Sequence, residues 1–300
     1  MTAPTPLTGA RLDRAYSPSH LVPSLRHYLD EYAARSAEAR RAPGVRTGLR
    51  YGPGSAERLD FWPARHGPAP VQIFVHGGNW QALTERSSAF AAPDFRRAGA
   101  AFAAVGYGLA PATELDEIVA SVRRCVRWIH GHAADLGVDP RRLHLSGTSA
   151  GAHLAAMALV PAGPREPAAG RLLAGAALLS GIYDLEPVSR SYVNEALRLD
   201  GDAVRRNSPP ELLPDELPPV VLARGGVETQ EYARQHDLMA DALRRRGALA
   251  GNVVEAHRNH FDLPYDLADP STPLGRAVLA QMGLPGHRAD PDDRSAEATA

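Results

Sequence analysis

A nucleophile, a base to take its proton and an acid to orient the base can all be found in the 300-residue chain. Residues Gly147-Thr148-Ser149-Ala150-Gly151 form a G-x-S-x-G. That pattern turns a strand sharply into a helix and holds a serine oxygen at the apex. The context agrees: Leu143 and Leu145 alternate before it as in a strand, and the Ala/Leu-rich run from His153 to Leu159 reads as a buried helix. A serine hydroxyl is a poor nucleophile at neutral pH, so it needs a base and a third group to fix the base's tautomer. With such an elbow the chain order is Ser, acid, His. Ser149, Glu228 and His260 follow that order, each just after a predicted strand. His257 is expected to cover the sheet's end, His153 to be packed or capping, and His76 to brace its own loop. Asp184, after the preceding strand, is the alternative acid. Asp237 and Glu231 are expected to face solvent from the next helix, and Asp262 stands too near His260 to reach its far nitrogen.

Attack on a carbonyl also requires donors for the oxyanion, commonly backbone N–H groups that no side chain obstructs. Gly77 and Gly78 provide such a loop, and Ala150 opens the serine helix, where the dipole favours negative charge. Trp80 and Tyr183 each end a strand–loop segment near these groups. They are expected to flank the nucleophile as substrate-binding rings, the alternative being that both pack under their own loops.

Composition narrows the classes. The net charge is −1, so nothing draws the chain to nucleic acid or an acidic membrane. All 33 cationic residues are Arg, and the absence of Lys excludes Schiff-base and Ser-Lys chemistry. A lone cysteine, Cys125, excludes an internal disulfide, and its helical spacing with Val122, Val126 and Ile129 makes it a core thiol. No His/Cys/Asp/Glu group has metal-site spacing, so neither metal nor cofactor is expected. No signal peptide or membrane span is seen, and a cytoplasmic location is the default expectation. The partner expected is a small-molecule substrate. Oligomeric state is left open, a homodimer included.

The elements that must hold these residues alternate between strand and helix. Helices are expected over 21–41, 90–98, 115–136, 231–246 and 273–282, besides the serine helix. Strands are expected over 45–51, 58–62, 71–75, 101–105, 173–179, 220–223 and 252–256, besides the serine strand. This calls for a single α/β domain with a mostly parallel central sheet and helices on both faces. Its ligands belong beyond the carboxyl ends of the strands, where the candidate residues fall. Residues 1–45 form a helical extension, the proline-rich segment 187–217 with one short helix forms a cap, and residues 1–9 and 286–300 are expected to be disordered.

His76-Gly77-Gly78-Asn79-Trp80 together with the segment from Gly147 to His153 resembles the α/β-hydrolases of the arylformamidase (kynurenine formamidase) group, close to the hormone-sensitive-lipase-like esterases. The likeness extends to Tyr16-Ser17-Pro18-Ser19, Tyr51-Gly52, Leu59-Asp60-Phe61, Ser180-Gly181-Ile182-Tyr183-Asp184-Leu185 and Asn259-His260-Phe261. The first two motifs specify the wider esterase class, and the others narrow it. The resemblance implies an α/β-hydrolase fold, a Ser–acid–His triad, metal-free hydrolysis, and N-formyl-kynurenine or a similar aryl formamide as substrate, in tryptophan catabolism. Short-chain carboxylesterase activity and acyl transfer or cyclisation in a biosynthetic pathway share the same acyl-enzyme step. Two departures stand out: the family's acid is usually Asp where this chain has Glu228, and Gly106-Tyr107-Gly108-Leu109-Ala110-Pro111 replaces the esterases' Asp-Tyr-Arg-Leu-Ala-Pro.

Overall fold

The computed structural model describes residues 7–163 and 169–284. Eight strands form one sheet: β1 (Arg46–Arg50), β2 (Arg58–Trp62), β3 (Ala69–Val75), β4 (Ala101–Val105), β5 (Val138–Thr148), β6 (Gly175–Leu179), β7 (Val220–Val227) and β8 (Leu249–Asn259). Their order is β1-β2-β4-β3-β5-β6-β7-β8. β2 runs antiparallel to β1 and β4, and every pairing from β4 to β8 is parallel. The chain passes from β3 to β4 on one side and then crosses to β5 on the other. The carboxyl ends of β3 and β5 therefore flank the switch in strand order, where open α/β sheets bind their ligands.

The helices are α1 (Ala10–Ala15), α2 (Leu25–Ala39), α3 (Ala92–Arg97), α4 (Leu115–Gly131), α5 (Ala133–Leu136), α6 (Ala150–Leu159), α7 (Asn194–Leu197), α8 (Gly201–Arg206), α9 (Gln230–Arg245) and α10 (Pro273–Gln281). All of β3, β4 and β6 is buried, as strands covered on both faces must be. The period of two divides the core. Ile73 and Val75 pack with Ile118 and Val122 of α4, Leu154 of α6 and Met239 of α9. Phe74 packs with Tyr32 of α2, Phe95 of α3 and Val278 of α10. Cys125 lies fully buried in the first of these layers.

Several boundaries differ from the sequence expectation for local reasons. The helix expected over 21–41 starts at Leu25, because Ser24 caps it by accepting from the His27 N–H. Before it, residues Pro18–Leu21 form a separate 3₁₀ turn. The helix expected over 115–136 breaks at His132, and its last turn closes on Gly137 at φ 68°. Segment 187–217 holds two short helices, not one: Asp200 caps α8 by accepting from the Ala203 N–H at 2.7 Å. Strands β7 and β8 extend past the expected 220–223 and 252–256, since Gly225 and Val227 pair with β8 although apolar alternation has ended. The expected disordered tail 286–300 and residues 1–6 lie outside the described residues. No helix among the described residues is long and apolar enough to cross a membrane.

Candidate active site

Ser149 stands between the end of β5 and the start of α6 at φ 56°, ψ −123°. A non-glycine residue held there is strained, and strain of this kind persists only where the surroundings enforce it. Two glycines make the turn fit. A β-carbon on Gly147 would collide with the Gly151 carbonyl, and one on Gly151 would collide with the Val75 and His76 carbonyl oxygens. Those obstacles are backbone and cannot swing aside. Gly151→Ala is therefore expected to destabilise the fold by roughly 3 kcal/mol, at the upper end for overpacking. A urea midpoint equal to that of the parent chain would contradict this account.

The His76–Trp80 loop runs from the end of β3 towards the serine. A β-carbon on Gly77 would lie 3.1 Å from the Ser149 Cβ and 3.0 Å from the Thr148 carbonyl, so only glycine admits this approach. Gly78 sits at φ 101°, and a β-carbon there would collide with the Ala82 carbonyl. His76 stays behind the loop: its Nδ1 meets the Gly77 carbonyl at 2.8 Å, and its ring stacks on Tyr107 at 4.2 Å. Burial lowers its pKa to about 4, so it is neutral at pH 7 and acts as a brace. Ala150 is the first residue of α6, among the N–H groups that a helix leaves without internal partners.

Glu228 follows β7, and its side chain is wholly buried. Its Oε1 accepts from the Ser180 hydroxyl at 2.5 Å and from the Gly225 N–H at 3.2 Å. The same oxygen lies 3.6 Å from His260 Nδ1, just beyond hydrogen-bond length. Contacts of this kind often tighten only when substrate is bound. The alternative acid, Asp184, is turned away: it pairs with Arg234 at 3.0 Å and accepts from the Glu186 N–H. Asp262 accepts from both the backbone N–H and the side-chain amide of Asn259, bracing the loop that carries His260. His257 is exposed on β8.

The N-terminal extension buttresses the segments that carry Glu228 and His260. Thr229, next to Glu228, donates to the Ala15 carbonyl at 2.7 Å, and the Tyr16 hydroxyl donates to Glu231 at 2.7 Å. Glu231 is thus buried and bonded to Tyr16, Arg234 and Gln235, contrary to the solvent-facing position expected for it. On the other side, the Tyr32 hydroxyl donates to the Phe261 carbonyl, and Asn259 donates to Tyr28 at 2.9 Å.

Ser149, His260, Gly77 and Gly78 line one cavity of about 260 Å³. Its outer wall is apolar and comes from elements distant in sequence: Leu25 and Leu29 of α2, Tyr192 of the 187–217 segment, Leu83 and Phe261. No Arg, Asp or Glu among the described residues lines it. Trp80 and Tyr183 do not line it, which corrects the expectation that they flank the nucleophile. Both are fully buried, Trp80 donating to His153 Nδ1 at 3.3 Å and Tyr183 lying against Gly181. His153 completes that packing by meeting the Asn207 carbonyl at 2.8 Å. Sequence reasoning missed Ser180, Tyr232 and the outer wall. Ser180 could have been found as a hydroxyl at the carboxyl end of β6, and Tyr232 as an aromatic one helical turn beyond Glu228.

An eight-stranded, mostly parallel sheet with a serine elbow after β5, and an acid and a histidine after the last two strands, defines an α/β-hydrolase. The BD-FAE family model matches residues 59–166. The crystal structure of a Silicibacter sp. TM1040 protein, provisionally named a thioesterase, superposes with a TM-score of 0.79 at 28% identity, covering 90% of this chain and 99% of that one. The kynurenine formamidase of Danio rerio is 31% identical over 91% of this chain and 96% of its own length. Esterase LipQ of Mycobacterium tuberculosis is 29% identical over 75% of this chain and 59% of its own. The chain belongs to the kynurenine formamidase family of α/β-hydrolases, and it is a hydrolase.

Proposed function

We propose that this hydrolase works through a serine acyl-enzyme and cleaves an N-formyl aryl amide, of the N-formyl-kynurenine type, to formate and the free aryl amine. The observation that carries this is the convergence of Ser149, His260 and the Gly77-Gly78 loop on one small, apolar-walled cavity. In the proposed reaction Ser149 Oγ attacks the formyl carbon while His260 takes its proton, with Glu228 steadying the imidazolium. The carbonyl electron pair moves to oxygen, facing the N–H groups of Gly77, Gly78 and Ala150. Collapse breaks the C–N bond, the amine leaves with the proton from His260, and water then releases formate.

Leu25, Leu29, Tyr192 and Phe261 suit a flat aryl group by apolar contact. Formyl is the smallest acyl group, and one added methylene in a tight pocket is worth about 1–3 kcal/mol. kcat/KM is therefore expected to fall about 10- to 200-fold from formyl to acetyl on the same aryl amine, with formate measured directly. A rate that rises through acetyl, propionyl and butyryl would favour the second reading, a short-chain carboxylesterase. The likeness to Esterase LipQ supports that alternative.

A further inference from the structure

The cavity wall carries a hydroxyl that none of the roles above uses. Tyr232 sits in the first turn of α9, fully buried, with its ring tilted against His260 at 4.5 Å between centroids. It lines the cavity together with Ser149 and His260. Its hydroxyl has no hydrogen-bond partner among the described residues. Burial, then the Glu228 carboxylate, raises its pKa well above the ordinary phenol value, while its approach to the Ser149 hydroxyl, which falls short of a formed hydrogen bond, acts in the opposite sense. Tyr232 thus stays protonated and faces the nucleophile. Leaving a buried hydroxyl unpaired costs about 1–3 kcal/mol, and phenylalanine would fill the same space without that cost. Packing alone therefore gives no reason for the oxygen. Helix α9 holds it firmly, because Thr229 and Glu231, just before it in the chain, are tied to Ala15 and Tyr16.

Building on the serine reading above, we propose that Tyr232 is the second anchor of the water that hydrolyses the acyl-enzyme. In an apolar cavity that water needs two polar partners. It gives one hydrogen bond to the free nitrogen of His260 and the other to the Tyr232 oxygen, which leaves a lone pair directed at the acyl carbon. As the water oxygen bonds to that carbon, its proton passes to His260 and the carbonyl pair moves to oxygen. Collapse restores the carbonyl and breaks the C–Oγ bond, Ser149 takes the proton from His260, and the free acid leaves. Tyr232 belongs to this second half because it lies on the His260 side of the serine. Thr148, whose buried hydroxyl also lacks a partner among the described residues, lies instead beside the Gly77 loop.

The test is Tyr232→Phe with p-nitrophenyl acetate, followed by stopped flow and by mass analysis of the Ser149 peptide. Losing a water anchor is expected to lower kcat on the order of 10²-fold. Because acylation is untouched, KM should fall in parallel, kcat/KM should stay near the parent value, and the acetyl adduct should accumulate on Ser149 after a burst of p-nitrophenol. The burst amplitude counts folded sites, so partial misfolding cannot imitate this pattern. The proposal is overturned if kcat stays within threefold of the parent, or if kcat/KM falls while KM is unchanged. Accumulation in Thr148→Val but not in Tyr232→Phe also overturns it. An adduct on Ser149 in the parent chain together with any of these results leaves the serine reading standing, whereas no adduct in either chain removes that reading itself.

Discussion

Ser149→Ala is expected to abolish turnover while leaving the fold intact. The loss should be on the order of 10⁶-fold in kcat, as when a triad acting as a unit loses its nucleophile. That is about 8 kcal/mol of barrier. Two features make this substitution clean. The serine's backbone at φ 56° is enforced by Gly147, Gly151 and the Val75 and His76 carbonyls, none of which depends on the hydroxyl. Alanine also leaves the neighbouring Gly77 its clearance. The variant should therefore keep the parent's melting temperature and its affinity for product. Activity within tenfold of the parent, in protein verified by mass, would remove Ser149 from the mechanism.

Glu228→Ala is expected to cost on the order of 10⁴-fold in kcat, comparable to losing the acid of a serine protease triad. The geometry also orders the variants at this position. The carboxylate oxygen facing His260 is the one that accepts from Ser180 and from the Gly225 N–H. A glutamine would present its carbonyl to those two donors and so keep an acceptor towards His260 while losing the negative charge. Glu228→Gln should accordingly be impaired but clearly faster than Glu228→Ala. Asp184→Asn should stay close to the parent, because Asp184 pairs with Arg234 away from the cavity. If Asp184→Asn is the more damaging change, the acid belongs on the preceding strand, and the 3.6 Å approach of Glu228 to His260 has no catalytic meaning.

The layered α/β architecture was legible in the sequence, because the periodicities that separate strands from helices are local. Strand 101–105 appears where the apolar run places it, and helix Gln230–Arg245 lies within a residue of its expected span. The elbow was equally legible, since G-x-S-x-G is a local pattern and Gly147 answers a clash with Gly151 inside it, although the Val75 and His76 carbonyls that Gly151 clears come from another strand's end. Chain order was enough to nominate Glu228 and His260, because successive strands of a parallel sheet all deliver their carboxyl ends to one edge. Tertiary structure alone decided what surrounds them. Trp80 and Tyr183 stand beside candidate groups in sequence, yet both turn inward, because backbone neighbours need not share a side-chain direction. Glu231 carries a charge at a position that reads as solvent-facing, but Tyr16, some 215 residues away, supplies the hydrogen bond that makes its burial tolerable. The cavity wall joins Leu25, Tyr192, Tyr232 and Phe261 from four separate segments. No local pattern encodes such a meeting, since each of these residues by itself has only the character of ordinary core; the surface they form together exists only once the sheet has ordered the elements that carry them.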